Sequence, residues 1–297
     1  MKIFYHNDLD GKCAAFWVMC KADTDNETIE LNEINYGMKF PIETICKDED
    51  VYIVDYSIEP SEMDELLHIT KNVVWIDHHI SAINKYKDFG KDIKGIRLDG
   101  VAGCMLTYCY LEHMTKHGNT EDGVVPFDIN MVKEAPYFTH LIADYDVWKF
   151  QFGEYSKKFH VAFCNLHNTA PTSNEWVSLL EDIDESYIDD IISEGNAVLK
   201  YKQNYAKDYC TSLGFETEFE GHRCYALNIG LAGSDWVESV NEYLYEMFIL
   251  FAFNGTDWTY SLRSSTVDCS KIALKYGGGG HKGAAGFRSD KLLIKKK

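Results

Sequence analysis

Basic residues are scarce in this chain. Across 297 residues there are 29 Lys and Arg against 47 Asp and Glu, a formal net charge of −18. Affinity for a polyanion comes mostly from basic surface, so long nucleic acid is excluded as an expected partner. A small anionic substrate stays compatible with this charge if metal ions supply positive charge locally. Cysteine pairs are missing as well. The nine cysteines are an odd number, and no two stand in a C-x-x-C arrangement. Most sit in apolar or helical stretches, among them Cys13, Cys20, Cys104 and Cys109. That is the placement of reduced cysteine in a cytosolic protein rather than of a disulfide framework. No long hydrophobic run exists either: the strongest, Met247 to Phe253, is far too short to span a bilayer. Charged residues follow the first strand candidate at once, which is not a signal-peptide pattern. The expectation is a soluble, cytoplasmic protein with no membrane partner.

Apolar content is ordinary at 45%, enough for a sizeable core, and the length suits one large domain or two ordinary ones. There is no internal repeat, and low complexity is confined to Gly277–Gly280 and Lys295–Lys297. The first half alternates strand candidates near 1–5, 28–34, 51–55, 72–77 and 93–98 with helix candidates near 11–22, 60–70, 102–117 and 129–144. This alternation predicts a mostly parallel sheet with helices on both faces. From 155 to 210 the pattern is helical and charged. Ser186 to Asp208 reads as one long helix with Ile188, Ile191, Ile192, Ala197, Val198 and Tyr201 on an apolar face, a connector between domains. A second α/β region follows, with strands expected at 213–219, 222–229, 247–253 and 257–263 and helices at 235–245 and 268–276.

The chemistry gathers where the early strands end. Val73-Val74-Trp75-Ile76 runs into Asp77-His78-His79, Met1–Tyr5 into His6-Asn7-Asp8-Leu9-Asp10-Gly11, and Val51–Val54 into Asp55. Carboxylates and imidazoles at strand exits are poor core material and good metal ligands. In open α/β sheets that edge is where ligands bind. Each segment also has a plainer reading: Asp10 as a helix cap, Asp55 as the start of a loop, the histidines as capping residues. A fourth segment, Ile142 to Trp148, offers two carboxylates, Asp144 and Asp146, with nothing local to choose between them. Trp148 reads as packing. Taken together, Asp8, Asp10, Asp55 and Asp146 would place four negative charges at one point, which repels itself without cations. With His6 and His78 there are six ligands, enough for two ions sharing one bridging carboxylate. Mixed carboxylate and imidazole ligation suits Mn²⁺ better than Mg²⁺, and the lack of thiolate speaks against structural zinc. Such a pair of ions can activate a water and clamp a phosphoryl group.

A second candidate site lies near the C-terminus. It comprises Ser261-Leu262-Arg263-Ser264, Asp268 to Ala273, and Gly277-Gly278-Gly279-Gly280-His281-Lys282-Gly283. Consecutive glycines let backbone approach a ligand and turn N–H groups toward an anion. Arg263 offers a planar fork for phosphate or carboxylate, and His281 and Lys282 add donors.

On these motifs the chain resembles the DHH phosphoesterase superfamily with a C-terminal DHHA1 domain. The resemblance rests on His6 to Gly11, Asp55, Asp77-His78-His79 and Gly277 to His281, in that order, and covers nearly the whole chain. It is most similar to the nanoRNase-type oligoribonucleases of the B kind, through the His-Asn-Asp-Leu-Asp-Gly opening and Tyr145-Asp146-Val147-Trp148. That register favours Asp146 over Asp144. One spacing departs from many relatives, which place three residues between the first His and the next Asp where only Asn7 stands here.

The resemblance implies an α/β protein of two domains. A DHH catalytic domain over 1–190, its mostly parallel sheet flanked by helices, is joined by a helix at 191–210 to a smaller α/β DHHA1 domain over 211–297. It implies a metal-dependent phosphodiesterase that hydrolyses short oligonucleotides by attack of a dimetal-bound hydroxide, with Mn²⁺ expected ahead of Mg²⁺ or Co²⁺. His6, Asp8 and Asp55 would hold one ion. Asp10, Asp55, His78 and Asp146 would hold the other, making Asp55 the bridge. Asp77 would orient a histidine, and His79 would contact the scissile phosphate. Arg263, Ser264, Gly278, Gly279, Gly280 and His281 would bind the distal part of the substrate. Alternatives are a cyclic dinucleotide, 3′-phosphoadenosine 5′-phosphate or polyphosphate as substrate, or a non-catalytic nucleotide sensor. Pyrophosphatase activity is less favoured. Substrate length, cleavage polarity, RNA versus DNA preference and a homodimeric state are left open.

Overall fold

The computed structural model describes residues 1–21, 28–118, 125–237, 239–240 and 242–297. The chain divides into two compact units, residues 1–198 and 199–297.

The first unit is built on four parallel strands in the order β2-β1-β3-β4, where β1 is Lys2–His6, β2 Glu30–Ile34, β3 Val51–Val54 and β4 Val73–Ile76. Strands β3 and β4 are continuous apolar runs because both faces of a parallel sheet are covered, whereas the edge strand β2 is largely polar and buries only Ile34. Alternate residues go to opposite cores. Ile3, Tyr5, Val54, Val74 and Ile76 face one cluster, which contains Leu9 to Val18 and Ala102 to Leu111. Phe4, Ile53, Val73 and Trp75 face the other, with Met63, Leu66 and Leu67. Helices α1 (Leu9–Lys21) and α4 (Gly103–His117) pack on the first face, and α2 (Pro60–Ile69) on the second. The strand order reverses at β1, so the opening between β1 and β3 is a topological switch point.

Two expected elements come out differently in this unit. Residues 93–98 form no strand, only single bridges of Lys94 to Val74 and Arg97 to Asp77. Between them Gly95 turns the backbone at φ +116. The 129–144 helix is two: α5 (Ile129–Glu134) and α6 (Tyr137–Asp146). Pro136 lacks an N–H and forces Ala135 to an extended ψ of 142°, which ends the first helix. The short α3 is Ile80–Lys85; beyond α6 lie α7 (Glu154–Leu166), α8 (Asn174–Glu181) and the 28-residue α9 (Ser186–Leu213), which contains the division between the units.

The second unit carries a six-stranded mixed sheet ordered β5-β6-β7-β8-β10-β9. Its strands are β5 (Phe215–Phe219), β6 (His222–Asn228), β7 (Met247–Phe253), β8 (Trp258–Arg263), β9 (Gly279–Gly280) and β10 (Ala284–Ser289), with α10 (Cys269–Lys275) against one face. The expected helix at 235–245 is replaced by 3₁₀ turns at Ser234–Val237 and Glu242–Leu244, its residues 238 and 241 lying outside the described residues, as does residue 22 of the first helix candidate. No helix of the described residues is long and apolar enough to cross a membrane. All nine cysteines are free thiols.

Candidate metal centre

The segment after β1 turns immediately into α1, and Asp8 caps that helix: its Oδ1 accepts the Gly11 N–H at 2.9 Å. Its Oδ2 lies 2.7 Å from His6 Nδ1. Burial would raise the Asp8 carboxyl, but the His6 hydrogen bond and charge outweigh it and hold the group at about 2. Asp10, in the first turn of α1, serves a different helix. Its two oxygens accept the Gly103 and Cys104 N–H groups at 2.7 and 2.8 Å, at the buried N-terminal end of α4.

Asp55 follows β3 in the left-handed region, φ +53, which aspartate tolerates better than most residues. It is 1% exposed, and neither carboxylate oxygen has a hydrogen-bond partner. Oδ1 lies 3.1 Å from His78 Nε2, out of hydrogen-bond alignment, and Oδ2 lies 3.9 Å from His6 Nδ1. Desolvation, then repulsion from Asp10, Asp8 and Asp146, raises its pKa well above the usual carboxylate range. The close fit depends on Gly103, where a Cβ would stand 2.6 Å from Asp55 Cβ.

Asp77, fully buried after β4, is saturated. It accepts from Ser57 Oγ and from the His78 and His79 N–H groups, and Oδ1 lies 2.7 Å from His79 Nδ1. Burial alone would raise its pKa; the His79 and Ser57 contacts bring it below the ordinary value. The same pairing outweighs burial and raises the pKa of His79, while desolvation lowers that of His78. His78 Nε2 stands among three carboxylates: 3.1 Å from Asp55, 3.4 Å from Asp146 and 3.7 Å from Asp10.

The structure separates the two acids at the end of α6. Asp146, its last residue, faces His78, and desolvation plus Asp10, Asp8 and Asp77 push its pKa well up. Asp144 holds the following loop, accepting from Gln151 N at 2.8 Å, Phe152 N at 3.2 Å and Ser156 Oγ at 2.5 Å.

His6, Asp8, Asp10, Asp55, His78 and Asp146 are thus brought together. Three sets, His6/Asp8/Asp55, Asp10/His78/Asp146 and Asp55/His78/His79, each have donor atoms within 4.8 Å of one another. Among the described residues, no lysine or arginine pairs with Asp8, Asp10, Asp55 or Asp146. An unpartnered buried carboxylate shared between sets is the donor arrangement that divalent cations satisfy. The nearby thiol does not compete: burial first, then Cys13 and Asp10, raises the Cys104 pKa well up and keeps it protonated.

Three residues at this site were not singled out from the sequence. Gly103 admits Asp55, and Ser57 orients Asp77. Tyr36, in the turn after β2, sets its ring 5.6 Å from that of His6 and 5.8 Å from that of His79. The residue is 53% exposed, and partial burial with Asp77 and Asp55 nearby raises its pKa. A lone tyrosine in a loop carries no motif; only its position two residues past the strand paired with β1 gives a signal.

In the second unit the glycine run is mostly structural. Gly277 ends α10 at φ +75, its N–H bonding Leu274 O, and the Gly278 N–H bonds Ala273 O at 2.9 Å, a Schellman arrangement. The Gly278 N–H is therefore engaged at the helix end. Gly279 and Gly280 pair with β10 as β9, and the β9–β10 turn is closed by His281 N to Ala284 O at 2.8 Å. Arg263 pairs across β8 with that same Ala284. The Ser264 hydroxyl donates to Glu246 O at 2.6 Å and accepts from Val267 N at 2.8 Å, holding a turn.

No protein-family model matches the chain, and no curated protein matches it by sequence. Solved structures do. The DHH domain of a member of a family of ribosomal proteins aligns with TM-score 0.55 and 14% identity over 96% of this chain and 81% of that one. The chain has the DHH-domain fold. An exonuclease RecJ bound to manganese shares this DHH fold at TM-score 0.52 and 16% identity, over 97% of this chain and 85% of that one. So does an exopolyphosphatase-related protein from Bacteroides fragilis, at TM-score 0.51 and 13% identity over 98% and 87%. At these identities the likeness concerns the fold.

Proposed function

We propose that this protein is a metal-dependent phosphodiesterase acting on short oligonucleotides of the nanoRNA type. The observation that carries the reading is Asp55: a buried carboxylate with both oxygens unpartnered, one toward His6, in the group with Asp8, the other toward His78, which itself faces Asp10 and Asp146. In this reading Asp55 would be shared by two divalent ions, Mn²⁺ ahead of Mg²⁺ or Co²⁺. His6 and Asp8 complete one site, and Asp10, His78 and Asp146 the other. Bound there, the ions supply Lewis-acid polarisation of a phosphoryl oxygen and a water activated at neutral pH. Asp77 fixes the His79 ring through Nδ1, so that His79 donates to the scissile phosphate. Residues 1–190 are the DHH catalytic domain, 191–210 the connecting helix and 211–297 the DHHA1 substrate domain, in which Arg263, Ser264, Gly278, Gly279, Gly280 and His281 take the distal part of the substrate.

A net charge of −18 favours a short substrate over a polymer. The manganese-bound neighbour is an exonuclease, which supports nucleotide phosphodiesters and Mn²⁺. The exopolyphosphatase-related neighbour keeps polyphosphate as the second reading. The test is hydrolysis with Mn²⁺ or with chelator of a dinucleotide, a five-residue RNA, a cyclic dinucleotide, 3′-phosphoadenosine 5′-phosphate, polyphosphate and pyrophosphate. The expected result is Mn²⁺-dependent release of mononucleotides from the two linear oligonucleotides. Turnover of polyphosphate alone would replace the substrate class, and nucleotide binding without any turnover would make the protein a sensor.

A further inference from the structure

We propose that the Tyr36 hydroxyl is a substrate contact, donating a hydrogen bond to a non-bridging oxygen of the phosphoryl group at the carboxylate-histidine centre. This deepens the phosphodiesterase reading and rests on it. Tyr36 stands at the tip of a turn closed by Met38 N to Asn35 O. That turn follows β2, whose last residue, Ile34, pairs with His6. The turn therefore hangs over the same strand edge that delivers His6 and Asp8. The ring rests on Tyr56 at 5.0 Å and stands edge-on to His79 at 5.8 Å.

Ring packing of this kind needs only a phenyl group. The hydroxyl makes no hydrogen bond to any described residue. A phenol is an O–H donor, and this one is carried on a ring that lies beside His6 and His79 at the strand edge. A phosphoryl oxygen brought to the metal ligands introduces an anionic acceptor. His79, from a different loop, converges from the adjacent side with its Nδ1 already tied to Asp77. Two donors from separate strand ends would then flank the charge that develops at phosphorus, the arrangement that stabilises such charge without reorganisation.

Tyr36→Phe keeps the ring and removes the donor; Tyr36→Ala removes both. Three quantities decide the matter: Mn²⁺ affinity by electron paramagnetic resonance, binding of adenosine 5′-monophosphate to the Mn²⁺-loaded protein by calorimetry, and kcat and KM on a dinucleotide. Loss of one hydrogen bond to a charged group predicts a fall of roughly 10- to 100-fold in nucleotide affinity and in kcat/KM for Tyr36→Phe, with Mn²⁺ affinity and Tm unchanged. Nucleotide affinity and turnover within two-fold of wild type would overturn the proposal. So would a parallel loss of Mn²⁺, which makes the hydroxyl a support of the ligands. A defect confined to Tyr36→Ala would also overturn it, because the ring and not the hydroxyl would then be the contact. A wild-type protein that binds Mn²⁺ and nucleotide yet hydrolyses nothing sinks the enzyme reading instead, and the calorimetric comparison still decides Tyr36.

Discussion

Asp55→Asn is expected to change sign with metal. In the metal-free protein the Asp55 carboxylate is 1% exposed and has no hydrogen-bond partner, and Asp10, Asp8 and Asp146 repel it. Leaving such a group unsatisfied costs ~1–3 kcal/mol. The amide has the same shape, carries no charge and donates to the carboxylates around it. Asp55→Asn should therefore stabilise the chelated protein by about that amount. Unit 1 spans residues 1–198; at that size each kcal/mol moves Tm by roughly 2–4 °C, so the shift is about +2 to +12 °C. With Mn²⁺ the order reverses. A ligand at 100 times its Kd adds ~2.7 kcal/mol per site to the wild type, and removing the bridge forfeits most of it. Differential scanning calorimetry of both proteins in EDTA and in MnCl₂ reads all four states. An Asp55→Asn protein less stable than wild type in EDTA would refute the reasoning, because the carboxylate would then already be satisfied by the protein.

The same groups set a pH dependence. The folded-state pKa values of Asp55 and Asp146 are raised, so their favourable contribution is present in acid and is lost as pH rises through those values. Those of Asp8 and Asp77 are depressed, so theirs is present above the ordinary carboxylate pKa and lost below it. Chelated protein should lose stability as pH rises above the ordinary carboxylate range, a decline that Mn²⁺ abolishes; urea midpoints across pH check this. Gly103→Ala forces a methyl to within 2.6 Å of Asp55 Cβ, so it should cost ~1–3 kcal/mol as overpacking and weaken Mn²⁺ binding, measurable by denaturation and calorimetry. Asp144→Ala orphans three donors and should lower stability by ~2–3 kcal/mol, whereas Asp146→Asn should reduce Mn²⁺ affinity with little loss of stability in chelator. Arg263→Ala should mainly raise KM on a dinucleotide; a fall in kcat at constant KM would place that residue at the chemistry instead.

Much of the first unit is legible because its chemistry is local. Apolar runs of four or five residues that end in His6, Asp55 or Asp77 mark both the strand and the edge at once, and a parallel sheet then lines those ends up. Asp144 and Asp146 show the limit. Two residues apart on a helix they point some 200° from each other, so only one can face the cluster; which one depends on where the loop to Gln151 and Phe152 returns. The division of 129–144 was readable at Pro136, where helical periodicity masks the missing N–H. Strand β10 was missed because Ala284-Ala285-Gly286 has little β preference by itself; pairing with β8 and β9 makes it a strand. The glycine run reads from composition as an anion cradle, but half of its backbone donors close α10. Gly103 and Tyr36 act through space alone.

Asp10 reaches across 93 positions of sequence to hold the first two N–H groups of α4. That bond makes one of the clustered carboxylates a clasp between early and late segments, and closing so long a loop carries an entropic cost. The cluster acquires its last carboxylate only with Asp146, so a nascent chain presents the earlier acids for many seconds of synthesis without the cage. Cations would then be captured by the finished unit rather than guiding its collapse.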